Sequence, residues 1–311
     1  MASSSSAEEA APPWPELPRE ITAAIMHKLG AIEVLTTAQR VCTAWRSVCR
    51  DPSMWRCIDM QNTGNLWEVP YNLEKMCRHA VDRSRGQLID INIEYFGTDD
   101  LLLYISQRSS QLRRLQLVFS YEITGDGLIQ AVQNFPLLEE LHLYYTSIDA
   151  KAIEAIGRAC PQLKSFKLNN RWYRQQYVVC DMEALAIAQN MPELRHLQLF
   201  GNKMTNEGLQ AILDGCPHLE SLDLRQCFNI HFGGNIGRLC TQRIRVLKRP
   251  HDPTDDYRFD AEIYDYATSY EDSITWFSDD LMFSDLDEDL QFSGGSPCSY
   301  ENDYNEDLLF D

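Results

Sequence analysis

One arrangement of apolar positions recurs along the middle of the chain. It reads Leu88-Ile91-Ile93, Leu112-Leu115-Leu117, Leu138-Leu141-Leu143 and Leu163-Phe166-Leu168, then Leu194-Leu197-Leu199 and Leu219-Leu222-Leu224. A shortened copy stands at Ile244 and Leu247, and the first positions are spaced by 24, 26, 25, 31, 25 and 25 residues. The alternating apolar positions that close each phrase predict a short strand with one buried face. Between phrases lie stripes at the i, i+3, i+4, i+7 spacing of an amphipathic helix: Leu128-Ala131-Val132-Phe135, Ala184-Ile187-Ala188-Met191 and Leu209-Ile212-Leu213-Cys216. Each unit thus carries two apolar faces and buries both only by stacking on its neighbours, which predicts a curved α/β solenoid of short parallel strands and helices.

A different pattern occupies Trp14 to Trp55, bounded by Pro15 and Pro52. Ile21, Ile25 and Leu29 share one face of a first helix, Val34 and Leu35 follow, and Ala38, Val41, Cys42, Trp45 and Cys49 form a later stripe. The reading is a three-helix unit. Below about 40 residues a chain seldom buries enough apolar surface without a metal, a disulfide or a partner. No metal-ligand spacing or disulfide pair lies in this stretch, so a partner is implied.

Several of these positions carry a resemblance. Leu17-Pro18 with Glu20-Ile21, then Ile25, Leu29, Val34-Leu35, Val41-Cys42, Trp45-Arg46 and the closing Pro52-x-x-Trp55 resemble the F-box in order and spacing. Gly30-Ala31-Ile32 stands where that pattern more usually has a Pro- or Ser-containing turn. The resemblance implies docking on a Skp-family adaptor and, through it, on the cullin of an SCF ubiquitin ligase. Leu17, Pro18, Ile21, Ile25, Leu29, Val34, Leu35, Val41 and Trp45 are the adaptor-binding residues it implies. The recurring phrase is that of the leucine-rich repeat. Cys216-x-x-Leu219-x-x-Leu222-x-Leu224-x-x-Cys227-x-x-Ile230 resembles the cysteine-containing class found in F-box proteins. From Trp14 to about Pro250 the layout is similar to plant F-box/leucine-rich-repeat proteins.

The fold class expected is α/β. An F-box at 14–56 precedes a linker and capping helix at 57–86, where Leu73, Met76, Cys77, Ala80 and Val81 form a stripe. Six or seven leucine-rich repeats fill 87–250, flanked by a disordered N-terminus at 1–13 and a disordered acidic tail at 251–311. Charge marks the last boundary. Residues 251–311 hold 19 acidic residues and one basic one, which accounts for the whole net charge of −18 and leaves the first 250 residues neutral. A neutral body offers no electrostatic footprint for nucleic acid. No stretch approaches the ~20 apolar residues of a membrane span, and the N-terminus lacks the pattern of a secretory signal. Ten cysteines without a CxxC pair argue against zinc and a disulfide framework. Nucleus or cytoplasm is the location expected, and no cofactor or metal is called for.

On strands of the LxxLxL kind the leucines point inward, so the residues between them face the concave side. That side would present His142, Tyr144, Lys167, His196, Phe200 and Arg225 to a protein substrate, with Tyr144 and Phe200 exposed. The longer fourth repeat adds Trp172 and Tyr173 on a loop, residue types that dominate interface energies. Cys160, Cys216 and Cys240 read as small buried hydrophobes before a new repeat. The tail, with aromatics among its acids, reads as a solubilising segment, an activation-type segment or an autoinhibitory one near Arg114, Lys167, Arg171 and Arg225. No nucleophile–base pair, phosphate loop or paired-carboxylate motif stands out. The expected function is that of a non-catalytic substrate receptor, with protein degradation as the outcome. A non-ligase interaction scaffold is the alternative, and a small-ligand receptor a third reading.

Overall fold

The computed structural model describes residues 14–62, 64, 70–170 and 179–263. They fall into two compact units: the residues up to Thr146 with Ala159–Lys167, and Ser147–Arg158 with the residues from Leu168 onward.

The first unit begins with helices. A 3-10 turn at Trp14–Glu16 leads into α1 (Arg19–Thr36), a second turn at Ala38–Arg40, α2 (Thr43–Cys49) and a third turn at Pro52–Trp55. Gly30 interrupts α1 at φ +80°, a conformation glycine adopts without steric cost. The result is three helical pieces, as expected. Met26, Val34, Leu35, Ala38, Trp45, Val48, Cys49, Met54 and Trp55 pack as their core. The stripe from Ala38 to Cys49 is not one helix, however. Cys42 takes an extended conformation and caps α2, its sulfur accepting from the Trp45 amide at 3.4 Å, so Val41 turns outward.

The segment expected as a linker starts with a strand instead, β1 (Cys57–Met60), whose Ile58 and Met60 are buried while Cys57 and Asp59 are exposed. Trp55-x-x-Ile58-x-Met60 is therefore one more copy of the repeated phrase, with an aromatic and a thioether in place of leucines. The expected capping helix follows as α3 (Leu73–Ser84), with Leu73, Cys77, Ala80 and Val81 buried. Trp55 serves both patterns. Its indole donates to the Cys49 carbonyl at 2.8 Å, and the Arg83 guanidinium of α3 lies 5.4 Å above its ring.

Strands β2 (Asp90–Glu94), β3 (Arg114–Val118) and β4 (Glu140–Tyr144) continue from β1 in chain order, all parallel, with α4 (Asp99–Ser106) and α5 (Gly125–Val132) between them. The register aligns Ile58, Ile91, Leu115 and Leu141, then Met60, Ile93, Leu117 and Leu143, in two buried rows. After each of β2, β3 and β4 comes an aromatic residue in the left-handed region: Tyr95 at φ +74°, Phe119 at +50° and Tyr145 at +56°. Each costs roughly 1–2 kcal/mol. The Tyr95 and Phe119 amides carry the ladder onward to the next repeat's carbonyl at 2.8 and 3.0 Å. Their rings stack, Tyr95 on Phe119 at 4.9 Å and Phe119 on Tyr145 at 4.5 Å, which returns about 0.5–1.5 kcal/mol per pair.

Chain order continues with α6 (Ala150–Ala159) and β5 (Ser165–Asn169). The second unit holds α7 (Met182–Asn190), β6 (His196–Gln198), α8 (Asn206–Gly215), β7 (Ser221–Asp223), α9 (Gly234–Arg243) and β8 (Val246–Lys248). Here β6, β7 and β8 are parallel and adjacent, aligning Leu197, Leu222 and Leu247. One helix-joining device appears in both units. Asp99 accepts from the Thr124 amide and hydroxyl at 2.8 and 2.7 Å, and Asp181 does the same for Thr205 at 2.7 and 2.8 Å. Gly127 and Gly208 make room, since a Cβ there would lie 1.9 Å from Asp99 Oδ1 and 2.3 Å from Asp181 Oδ1.

The polar face of the first unit's sheet is hydrogen-bonded laterally rather than open. Asn92 donates to Asp59 at 2.8 Å and Gln116 donates to Asn92 at 3.0 Å. His142 lies 3.1 Å from the Ser165 hydroxyl through Nε2, and its buried Nδ1 has no hydrogen-bond partner among the described residues. Burial, with Lys167 and Arg114 nearby, holds its pKa down at about 2, so the folded ring stays neutral. In the unfolded chain it titrates near ~6.5. Its contribution is therefore whole above that value and is lost as pH falls below it, by up to about 1.4 kcal/mol per unit. Between pH 6.5 and 4.5 the urea midpoint of the wild type is expected to fall more steeply than that of His142→Gln. Parallel pH curves for the two would contradict the buried neutral histidine.

Candidate functional site

The residues expected to meet an adaptor divide into two groups. On the first half of α1, Thr22 and Met26 point into the core, while Ile21, Ile25 and Leu29 form a row on another face. Ile21 is 50% exposed and Leu29 41%, and Ile25 is half-buried. Leu17, half-buried, and Pro18, exposed, stand at the entry to the helix, and the outward-turned Val41 is 53% exposed. Val34, Leu35 and Trp45, by contrast, belong to the unit's own core. Trp14, itself exposed, sets its ring edge-on to Trp45 at 6.2 Å. An ion pair between Arg19 and Asp51 fixes the start of α1 to the turn that opens the Pro52–Trp55 segment. Hydrogen bonds from Ser53, joined by Arg19, hold the Asp51 carboxyl below the usual range. The outcome is a row of aliphatic side chains on a locked helix. Covering an exposed Leu, Ile or Val fully is worth about 1.5–3 kcal/mol.

The residues expected to face a substrate are placed less openly than expected. Tyr144 and His142 are buried, and Lys167 is half-buried with its Nζ 3.4 Å from the Tyr144 hydroxyl. Strands ~4.8 Å apart in register set same-face residues side by side, so long side chains cover one another. Arg114 shows the effect, lying 3.4 Å from Asp90 on one neighbour strand and 3.6 Å from Glu140 on the other. Trp172 and Tyr173, with the rest of 171–178, lie outside the described residues.

In the second unit His196 is exposed, but Phe200 and Arg225 are buried, at 1% and 2%. Their cover is the start of the acidic segment, which packs back onto the sheet beyond the expected boundary at Pro250. The Tyr257 ring lies parallel to Phe200 at 3.9 Å. Arg225 Nη1 donates to the Pro253 carbonyl at 3.0 Å and to Asp256, which also pairs with Lys248. Gln226 Nε2 donates to the Ala261 carbonyl at 2.5 Å. Of these residues the sequence points to Tyr257 only as one of the aromatics among the tail's acids, and one reading of that tail sets it near Arg225; Lys248 and Asp256 carry no signal of their own. Residues 264–311 lie outside the described part.

Cys160, Cys216 and Cys240 sit under their repeats. Burial pushes the first two up to about 12 and 11, and their thiols donate to the Phe135 and Met191 carbonyls at 3.9 and 3.5 Å. Each is supplied by a different repeat and acts as a small apolar filler.

Comparison with known proteins agrees with this geometry. Residues 14–61 match the family described as F-box-like, and residues 171–251 match the repeats described as FBD-associated F-box protein At5g56370, LRR repeats. The chain is 48% identical over 299 residues to the F-box protein SKIP19 of Arabidopsis thaliana, covering 96% of this chain and 94% of that one. It is 52% identical over 247 residues to the putative F-box/LRR-repeat protein 23 of the same plant, covering 78% of this chain and 54% of that one. Putative F-box/LRR-repeat protein 22 is 45% identical over 283 residues, with 89% and 91% covered. The F-box match falls on the N-terminal helical unit, the leucine-rich-repeat match on the later repeats, and the relatives 52% and 45% identical carry both names: the chain belongs to the F-box/leucine-rich-repeat protein family.

Proposed function

We propose that this chain is the substrate-recognition subunit of an SCF-type cullin ubiquitin ligase. The F-box docks on a Skp-family adaptor, and the repeats hold a protein substrate for ubiquitin transfer by other subunits. The observation that carries the reading is the aliphatic row on α1, with Ile21 and Leu29 exposed and Ile25 half-buried, joined at the helix entry by the half-buried Leu17 and accompanied by the exposed Val41. Such a row on a rigid helix is what a helical partner would bury. The chain's own role is binding and positioning, and the reactive chemistry belongs to its partners. Trp55 adds support, because a side chain shared by the F-box core and α3 makes the joint stiff. A receptor that holds its cargo at a fixed distance from the transferring enzyme gains from such stiffness.

Replacing Leu17 and Pro18 together by alanine is expected to abolish capture of a recombinant Skp-family adaptor while leaving the thermal unfolding of the chain intact. Undiminished capture would place the interface elsewhere. Recovery of adaptor and cullin with the wild-type chain supports the ligase reading, and recovery of adaptor without cullin would favour a scaffold that delivers no substrate.

The two groups of F-box residues are expected to behave differently. Leu29→Ala should weaken adaptor binding about tenfold, near 1.4 kcal/mol, with little change in unfolding temperature. Trp45→Ala should cost about 3–5 kcal/mol of stability and lower that temperature by several degrees. The reverse pattern in calorimetry and binding would show that the uncovered row and the core have been exchanged.

A further inference from the structure

The acidic segment's seat on the second unit has the form of a binding slot. Arg225 is held in place before any ligand arrives: its Nε and Nη2 donate to Asp223 at 3.0 and 2.8 Å, from the same strand row. That fixes the guanidinium plane and leaves Nη1 aimed outward, where it meets the Asp256 carboxylate. Lys248 on the adjacent strand supplies a second cation to the same carboxylate. These two contacts, that to Lys248 first, hold Asp256 down at about 2 although its side chain is 61% exposed. On the other side Phe200, just past β6 and its polar His196 and Gln198, offers a flat apolar face, and Tyr257 lies on it within 4° of parallel. The remaining contacts go to main-chain carbonyls, Pro253 from Arg225 and Ala261 from Gln226. They ask nothing of the side chains at those positions.

We propose that Phe200, Arg225, Gln226 and Lys248 form a recognition slot for a protein segment carrying an aspartate followed by a tyrosine. The chain's own Asp256-Tyr257 is the resident occupant, which a partner segment of the same chemistry displaces. The slot reads one carboxylate and one ring, and grips the backbone on both sides. A pre-oriented arginine lowers the cost of binding, and its Nη1, left over from the fork that holds Asp223, gives a carboxylate a charge-assisted hydrogen bond. The Asp-Tyr pair recurs in the sequence at Asp265-Tyr266 and Asp303-Tyr304, so the chain carries further copies of the motif the slot accepts. This deepens the cargo-binding reading by naming the chemistry of the cargo. It is tested without adaptor or cullin, so its failure leaves the ligase reading standing and the converse holds too.

The probe is a fluorescein-labelled peptide, Thr-Asp-Asp-Tyr-Arg-Phe-Asp, followed by anisotropy. The receptor is the full chain with Asp256→Asn and Tyr257→Ala, and with the same changes at Asp265, Tyr266, Asp303 and Tyr304. This emptied chain is expected to bind the probe at least tenfold more tightly than the wild type does. Adding Lys248→Ala, or changing the second aspartate and the tyrosine of the probe to asparagine and alanine, should remove most of the gain. Salt should weaken binding, since part of it is charge pairing. Equal binding by emptied and wild-type chains would overturn the proposal, as would indifference to the probe's Asp and Tyr. An emptied chain that unfolds by circular dichroism would also overturn it, because the segment would then be a permanent cap. In the wild type, excess unlabelled peptide should speed amide exchange across residues 253–261, and unchanged exchange would count against displacement.

Discussion

The rest of the structure depends on the burial of the LxxLxL side chains between parallel neighbours. An isolated strand–helix repeat leaves both apolar faces wet, and only the next repeat in register covers them. The rows Ile58–Ile91–Leu115–Leu141 and Leu197–Leu222–Leu247 are what that requirement produces within each unit. It also explains the irregular details. Left-handed Tyr95 and Phe119, after β2 and β3, keep the backbone ladder unbroken where the chain turns away, and stacking of their rings with that of Tyr145 offsets the backbone cost. Aspartates at one repeat's helix start cap the next, with glycine leaving them space.

The same requirement settles how the F-box joins the repeats. The first strand packs against α1 and α3, and Trp55, buried in the helical core, ties that core to α3 through Arg83. F-box and first repeat are therefore one packed body, not two domains on a linker. What is left uncovered is as informative as what is buried. The Ile21–Ile25–Leu29 row and Val41 stay outside any core, although their residue types favour burial. On the second unit's sheet the chain covers its own surface, with Tyr257 and Asp256 set on Phe200 and Arg225.

Periodicity made most of the fold readable. The repeated apolar positions are fixed by a spacing of two and three residues, and those positions are the buried ones. Strand β1 escaped because Trp55, Ile58 and Met60 carry the phrase in a disguised form, and the F-box pattern had already claimed Trp55. A helical stripe tells which residues share a face, but not whether the chain itself covers it. Ile21 and Met26 look alike in sequence, and only packing separates them. The exposure of Tyr144 and Phe200 was misjudged for a related reason: their cover comes from a neighbouring strand and from a segment more than fifty residues away. Contacts of that range leave no periodic trace.

The proposed reading is that the aliphatic residues exposed on the F-box among the described residues are the ones a Skp-family adaptor would cover. Hydrogen exchange of the full chain with and without a purified Skp-family adaptor tests it most directly. New protection confined to residues 17–29 and to the turn around Val41, with the strands unchanged, is the predicted result. Protection on β6–β8 with none on α1, or no protection at saturating adaptor, would contradict it.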